Sequence, residues 1–240
     1  MIVGGPPCQD FSSAGKRNDA GGRADLTISF ANIIATVKPK YFLMENVNRI
    51  IKSKKLPEAI KILKGAGYGI SFTVLDASFC GAPQARKRFF MFGELHGEDG
   101  ALDYYFKKNL SSKAMTIRDY LGDTLKTNFY YRHPRNYSRR GVYSIDEPSP
   151  TIRGVNRPIP KGYPGHPNDA SKIDANVRAF TSEERALIQT FPKDFVWIGK
   201  KTILDQIIGN AVPVKLAEYV GNCIQEYLRD KHTNTRSTLL

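Results

Sequence analysis

The sequence predicts an α/β fold carrying a second, smaller domain rich in loops and short strands. Two observations lead there. Short apolar, strand-like runs alternate with helix-period segments over the first 93 residues, and helical periodicity returns after residue 177. From about residue 94 to 177 that periodicity weakens while Pro, Gly, Tyr and Arg accumulate. The expected organisation is one domain made of residues 1–93 and 178–230, an inserted domain of residues 94–177, and a frayed polar tail at 231–240.

Met1-Ile2-Val3 reads as the end of a buried strand that Gly4-Gly5-Pro6-Pro7 breaks. The break sets Cys8 at the carboxyl end of a strand, the edge where open α/β sheets bind ligands. A thiol there, on a backbone stiffened by two prolines, is placed to act as a nucleophile, although an isolated Pro-Cys pair more often marks a turn around a buried cysteine. Ser12 to Ala24 follows as a basic segment containing Lys16 and Arg17. Leu26, Phe30, Ile33, Ile34 and Val37 then recur at helical spacing, and Pro39 ends that helix. Tyr41-Phe42-Leu43-Met44 reads as a second buried strand running into Glu45-Asn46-Val47. Because a strand-helix-strand unit is normally a parallel crossover, Glu45 is expected on the same sheet edge as Cys8.

Pro57 opens a further helix through Ile60, Ile62 and Leu63, stopped by Gly65 and Gly67. Ser71 to Leu75 and the aromatic run Arg88 to Phe92 read as strands, with the cationic loop Gly81 to Arg88 between them. In the inserted region, Phe129, Tyr130, Tyr131, Tyr137 and Tyr143 interleave with Arg132, His133, Arg135, Arg139 and Arg140. Cations for phosphates and aromatic groups for bases are what a nucleic-acid surface needs, and a loop-rich structural insertion is the competing reading. Pro148 to Gly154, with Arg153, is an extended piece. Thr181-Ser182-Glu183-Glu184 has the capping-box pattern and opens a helix that Pro192 closes. A short helix is expected over Ile203 to Ile207, then a turn at Gly209 to Pro213, then an amphipathic helix through Leu228.

Composition narrows the function. Hydrophobic content of 41% and charged content of 25% suit a globular chain, and no run of some 18 apolar residues suggests a membrane span. The N-terminus carries no export signal pattern, so a cytoplasmic location is expected, nucleoid-associated in a bacterium. Cys8, Cys80 and Cys223 are scattered and odd in number, which speaks against a disulfide framework or a metal site. A net charge of +13 points to a polyanionic partner.

Gly-Pro-Pro-Cys at 5–8, Glu-Asn-Val at 45–47, Gln-Ala-Arg-Lys-Arg at 84–88, Thr-Ser-Glu-Glu through Phe191-Pro192, and Gly-Asn-Ala-Val-Pro at 209–213 stand in one order. In that order they resemble the motifs of the cytosine-C5 DNA methyltransferases, with Pro148 to Ile152 similar to a segment near the end of that family's target-recognition region. The resemblance implies a partial Rossmann-like S-adenosylmethionine-dependent methyltransferase sheet plus a target-recognition domain. It implies that Cys8 attacks C6 of a cytosine flipped out of double-stranded DNA, that Glu45 holds the ring at N3, and that Arg86 and Arg88 stabilise its O2 side. Pro7, Leu26 and Asn210 match cofactor contacts, while Lys16, Arg17, Arg132, Arg135, Arg139, Arg140 and Arg153 are expected on DNA. A restriction-modification or phage setting follows from the same likeness.

Family members begin with a glycine-containing strand-turn-helix and two further strands that this sequence does not show before Met1. A truncated chain, or one subunit of an enzyme split over a separate polypeptide, is therefore expected. Two other readings carry the same motifs: a tRNA methyltransferase of the related family, whose Cys-Phe-Thr signature is not found, and a catalytically inactive DNA-binding remnant.

Overall fold

In the computed structural model, which describes residues 1–7 and 25–237, a four-stranded sheet forms the centre of the first of two units. That unit comprises Met1–Asp76, Lys87–Leu110 and Val220–Leu240. Its strands are β1 (Ile2–Gly4), β2 (Tyr41–Val47), β3 (Tyr68–Asp76) and, after the two-residue β4 (Gln84–Ala85) of the other unit, β5 (Lys87–Leu95). They lie in the order β1-β2-β5-β3. β1 and β2 are parallel, with Gly4 level with Met44, and helix α1 (Asp25–Val37) connects them as the strand-helix-strand pattern requires. β5 runs antiparallel to both β2 and β3, which places Val47 opposite Arg88 and Glu45 opposite Phe90.

Alternation along these strands sorts residues onto two faces. One face carries Phe42, Met44, Phe89 and Met91, all buried against Ala31 and Ile34 of α1 and Leu56, Ala59 and Leu63 of α2 (Lys55–Gly65). Each such large side chain contributes roughly 1.5–3 kcal/mol on burial. Gly67, at φ +96°, ends the turn after α2 in a conformation that favours glycine. The opposite face carries Glu45, Phe90, Phe92 and Glu94. α3 (Asp103–Lys108) and the C-terminal part of α7 (Val214–Ser237) belong to this unit, and Tyr227 meets the Phe92 ring edge-on at 6.0 Å.

Tyr227 donates to Glu94 Oε2 (2.5 Å) and Lys231 to Glu94 Oε1 (2.6 Å). Helix α7 runs to Ser237, and Lys231 meets the buried Glu94 carboxylate one turn beyond Tyr227. The sheet is mixed rather than wholly parallel.

The second unit comprises Ala77–Arg86 and Ser111–Tyr219. It holds short ladders: β4 parallel to β8 (Ser149–Pro150), and β6 (Phe129–Tyr131) between β7 (Val142–Ser144) and β9 (Arg178–Ala179). Its helices are α4 (Ile117–Leu121), α5 (Ser182–Ile188) and α6 (Lys201–Asn210). The expected capping box forms at Thr181 and Glu184, and a second one, at Thr116 and Asp119, opens α4. α6 is longer than the expected Ile203 to Ile207 and takes in Gly209 and Asn210.

One expectation is corrected here. Tyr130, Tyr131 and Tyr143 are core residues, Tyr130 stacking on Phe180 at 4.1 Å, and are not a base-stacking surface. Tyr130 and Tyr143, paired across β6 and β7, pack with Phe180 in one cluster, and Tyr131 packs with Val142 and Val177 in another, so both faces of this short ladder are covered. Tyr137 alone of the four tyrosines in that cluster is exposed.

Candidate functional site

The first unit brings together the end of β1, the end of β2 and the start of β5. Two glycines make the approach possible. A Cβ on Gly4 would lie 2.5 Å from the Phe30 ring of α1, and one on Gly5 would lie 3.3 Å from Glu45 Oε2. Gly5 therefore lets the loop backbone sit against the carboxylate. Asn46, buried on the opposite face from Glu45, donates through Nδ2 to the Pro6 carbonyl (3.2 Å) while its Oδ1 accepts from the Val47 amide (2.8 Å). The Pro6-Pro7 turn leading to Cys8 is thereby tied to β2. Cys8, Lys16 and Arg17 lie outside the described residues.

Arg88 completes this cluster. Its Nε lies 3.1 Å from Glu45 Oε1, and Nη1 donates to the Lys87 carbonyl (2.9 Å). The register explains the pair: Arg88 stands opposite Val47, so it is the diagonal same-face neighbour of Glu45. One carboxylate oxygen thus meets a guanidinium and the other lies toward the glycine turn. Pro7 and Leu26 are both exposed in this unit.

Arg86 stands two residues before Arg88 but belongs to the second unit, because β4 and β5 are separate strands. It is 1% exposed, donating from Nη1 to the Ile152 carbonyl (2.9 Å) and from Nη2 to the Gly209 carbonyl (3.1 Å). The buried Gln84 beside it donates to Gln189 Oε1 (2.7 Å) and accepts from the Ile152 amide (2.9 Å). Gln189 in turn donates to the carbonyls of Ile208 and Ala211. These three side chains hold the Thr151–Arg153 stretch and the Gly209-Asn210-Ala211 turn in one frame. Gly209 is needed there, since a Cβ would come within 2.2 Å of the backbone at Arg153 and Gly154. Asn210 itself is exposed at the end of α6.

The remaining candidates also lie in this unit. Arg135 and Arg139 are exposed, whereas Arg140 bonds Glu147 (2.5 Å) and stacks on the Tyr143 ring at 4.2 Å. Arg132 donates to the Thr151 carbonyl (2.9 Å), and Arg153 to the His133 carbonyl. Burial, with neighbouring Arg132 and Arg135, pushes the Arg153 guanidinium down to about 10. Sequence reasoning had not singled out Asn46, Gln84 or Gln189 for these roles. The usable signal was an amide side chain in or beside a buried strand, where its hydrogen bonds must be met internally. Among the described residues, no group of three or more His, Cys, Asp or Glu could hold a metal ion, and no helix is long and apolar enough to cross a membrane.

A family model described as C-5 cytosine-specific DNA methylase matches residues 1–226. The chain is 56% identical over 231 residues to the Type II methyltransferase M.HindV of Haemophilus influenzae, covering 96% of this chain and 76% of that protein. It is 49% identical over 239 residues to the Type II methyltransferase M.HgiDI of Herpetosiphon aurantiacus, covering 100% and 77%. Among solved structures, S. pombe Dnmt2 methyltransferase matches with a TM-score of 0.63 at 20% identity, over 95% of this chain and 77% of that one. Entamoeba histolytica methyltransferase EhMeth matches at 0.62 and 18%, over 95% and 76%. At such identities the structural matches speak for the fold.

Proposed function

Because this chain belongs to the C-5 cytosine-specific DNA methylase family and is a DNA cytosine-C5 methyltransferase, we propose that Cys8 is its nucleophile and that Glu45 and Arg88 hold the cytosine ring. The observation that carries this reading is the Glu45–Arg88 pair beside the Gly5-Pro6-Pro7 turn that delivers Cys8. C5 of cytosine is a weak nucleophile. A Cys8 thiolate added to C6 forms a C–S bond and turns C5 into an enamine carbon able to accept an electrophilic methyl group. Once C5 has been methylated and its proton lost, the thiolate leaves and the 5,6 double bond returns. Glu45 meets the N3 edge as the ring becomes electron-rich, and Arg88, bonded to Oε1, fixes the carboxylate in that attitude. Arg86 acts within the second unit, as a positioning residue for the loops it bonds.

The family membership implies S-adenosylmethionine as methyl donor. Of the residues proposed to contact it, Pro7 and Leu26 offer exposed apolar surface in the first unit, and Asn210 offers an exposed amide in the second. When bound, the cofactor supplies the methyl as an electrophile. On the DNA side, Lys16 and Arg17 close on the flipped base, and Arg132, Arg135, Arg139, Arg140 and Arg153 face the duplex. Residues 94–177 act as the recognition domain, and the work is done in the cytoplasm on nucleoid DNA. Among the described residues β1 pairs with β2 alone, and Val3 on it is 61% exposed, which supports the addition of a further strand carried by a separate polypeptide.

The test is covalent trapping. DNA bearing 5-fluorocytosine at the target, with S-adenosylmethionine and any completing polypeptide present, should form a stable adduct with the wild type and none with Cys8→Ala. Trapping that survives the substitution removes Cys8 from the role.

A further inference from the structure

Arg132 and Arg153 clasp each other's chain segments. Arg132, just after β6, donates to the carbonyl of Thr151, two residues before Arg153. Arg153 donates to the carbonyl of His133, the residue after Arg132. Both guanidinium groups are thus fixed in place by neutral dipoles, and both line one cavity with His133, Asn156, Arg157 and Arg185. Carbonyl oxygens orient a cation but carry no net charge. Among the described residues, neither Arg132 nor Arg153 forms an ion pair with a carboxylate. The nearby Asp205 is already shared by Arg185, Ser182 and Lys201. Like charges therefore converge on a partly dehydrated space, and burial first and repulsion second act on two of the groups. Burial, then Arg132 and Arg135, lowers Arg153, and burial, then Arg157 and Arg153, lowers His133.

Such a cluster is stabilised by a full negative charge and little helped by a neutral acceptor. A base edge offers acceptors without net charge, whereas a phosphodiester offers both a charge and two free oxygens to a fork of donors. We propose that Arg132, Arg153 and Arg157, with His133, form a built pocket for one backbone phosphate of the DNA. Resting on the reading of this chain as a DNA methyltransferase, the proposal assigns the pocket to affinity and register, not to base identity. It also separates these arginines from Arg140, whose charge Glu147 already meets.

Binding to duplex DNA as a function of salt tests it, on one duplex that the protein methylates and one that it does not. Arg153→Gln should lower the slope of log affinity against log salt by about 0.9 on both duplexes, one phosphate's worth of released counterion. Arg157→Gln, at an exposed position where folding is not at stake, should lower it on both as well. Arg153→Lys should keep most of the slope while weakening binding. An unchanged slope for Arg153→Gln and Arg157→Gln overturns the pocket, as does a slope that falls only on the methylated duplex, which marks a contact to a base edge. Methyl transfer by the wild type, assayed in the same preparations with S-adenosylmethionine and any completing polypeptide added, keeps the two readings apart. An active wild type with unchanged slopes overturns the pocket alone, and an inactive one with lowered slopes upholds the pocket while overturning the activity.

Discussion

At the scale of single residues, the proposed chemistry rests on how close a backbone can come to a carboxylate. Gly5 leaves 3.3 Å between an added Cβ and Glu45 Oε2, so Gly5→Ala should displace the carboxylate by a few tenths of an ångström. We expect kcat to fall by roughly tenfold with DNA affinity unchanged, as positional errors of this kind act on turnover. Glu45→Gln should cost about 10²-fold or more in single-turnover methyl transfer, the range of general acid-base contributions, again without loss of duplex binding. A Glu45→Gln protein that turns over normally would show that the carboxylate is not needed at N3. Asp169 makes a different prediction. It accepts from the amides of Gly141, Val142 and His166 and from the Tyr163 hydroxyl. Burial raises its pKa, but these donors outweigh burial and leave it below the usual value. Its stabilising effect is therefore complete above about pH 4 and lost as pH falls through the folded value. Asp169→Ala should cost about 1.5–3 kcal/mol in urea unfolding at neutral pH, and the gap to the wild type should close in acid.

At the scale of elements, the motifs act as pairs of segments. Gln84-Ala85 forms a parallel ladder with Ser149-Pro150, and Thr151 donates to the Ala85 carbonyl, so two motifs far apart in sequence are one piece of structure. Arg86→Lys removes the fork that reaches both Ile152 and Gly209. It should lower stability by about 2–3 kcal/mol and weaken cofactor binding in calorimetry, since Asn210 follows the carbonyl that is released. Thr181→Ala should cost about 1 kcal/mol by opening the cap of α5. Much of this level was legible: β1, α1, β2, α2 and the Thr181 cap followed from periodicity and capping chemistry, as did the placing of Glu45 level with the glycine turn after β1. The Glu45–Arg88 pair was not, because it depends on the antiparallel register of β5, which no local pattern encodes. Nor was the separation of Arg86 from Arg88, since two arginines one residue apart share a face only if the strand is unbroken. The buried tyrosines of β6 and β7 escaped for want of length, three residues being too few to display a period. The final residues of α6 escaped because Gly209 is a poor helix former that packing compels.

At the scale of the whole molecule, the +13 charge draws the chain toward polyanions, and the outer edge of β1 offers it a second kind of association. Met1 and Val3 of that strand region and Ile33 and Val37 of α1 are more than half exposed. A strand added at this edge would combine new ladder hydrogen bonds with burial of such apolar surface. Titrating a polypeptide that carries the strand should then show a negative heat-capacity change, the enthalpy of association growing more negative on warming. A heat-capacity change near zero would mean that the edge takes up no apolar partner. The two associations also respond oppositely to the bench. Salt loosens the grip on DNA and leaves the strand edge largely indifferent, whereas cooling weakens apolar contact. A strand-bearing polypeptide, where one completes this edge, is therefore best held apart in the cold, and best added at room temperature in enough salt to keep nucleic acid away.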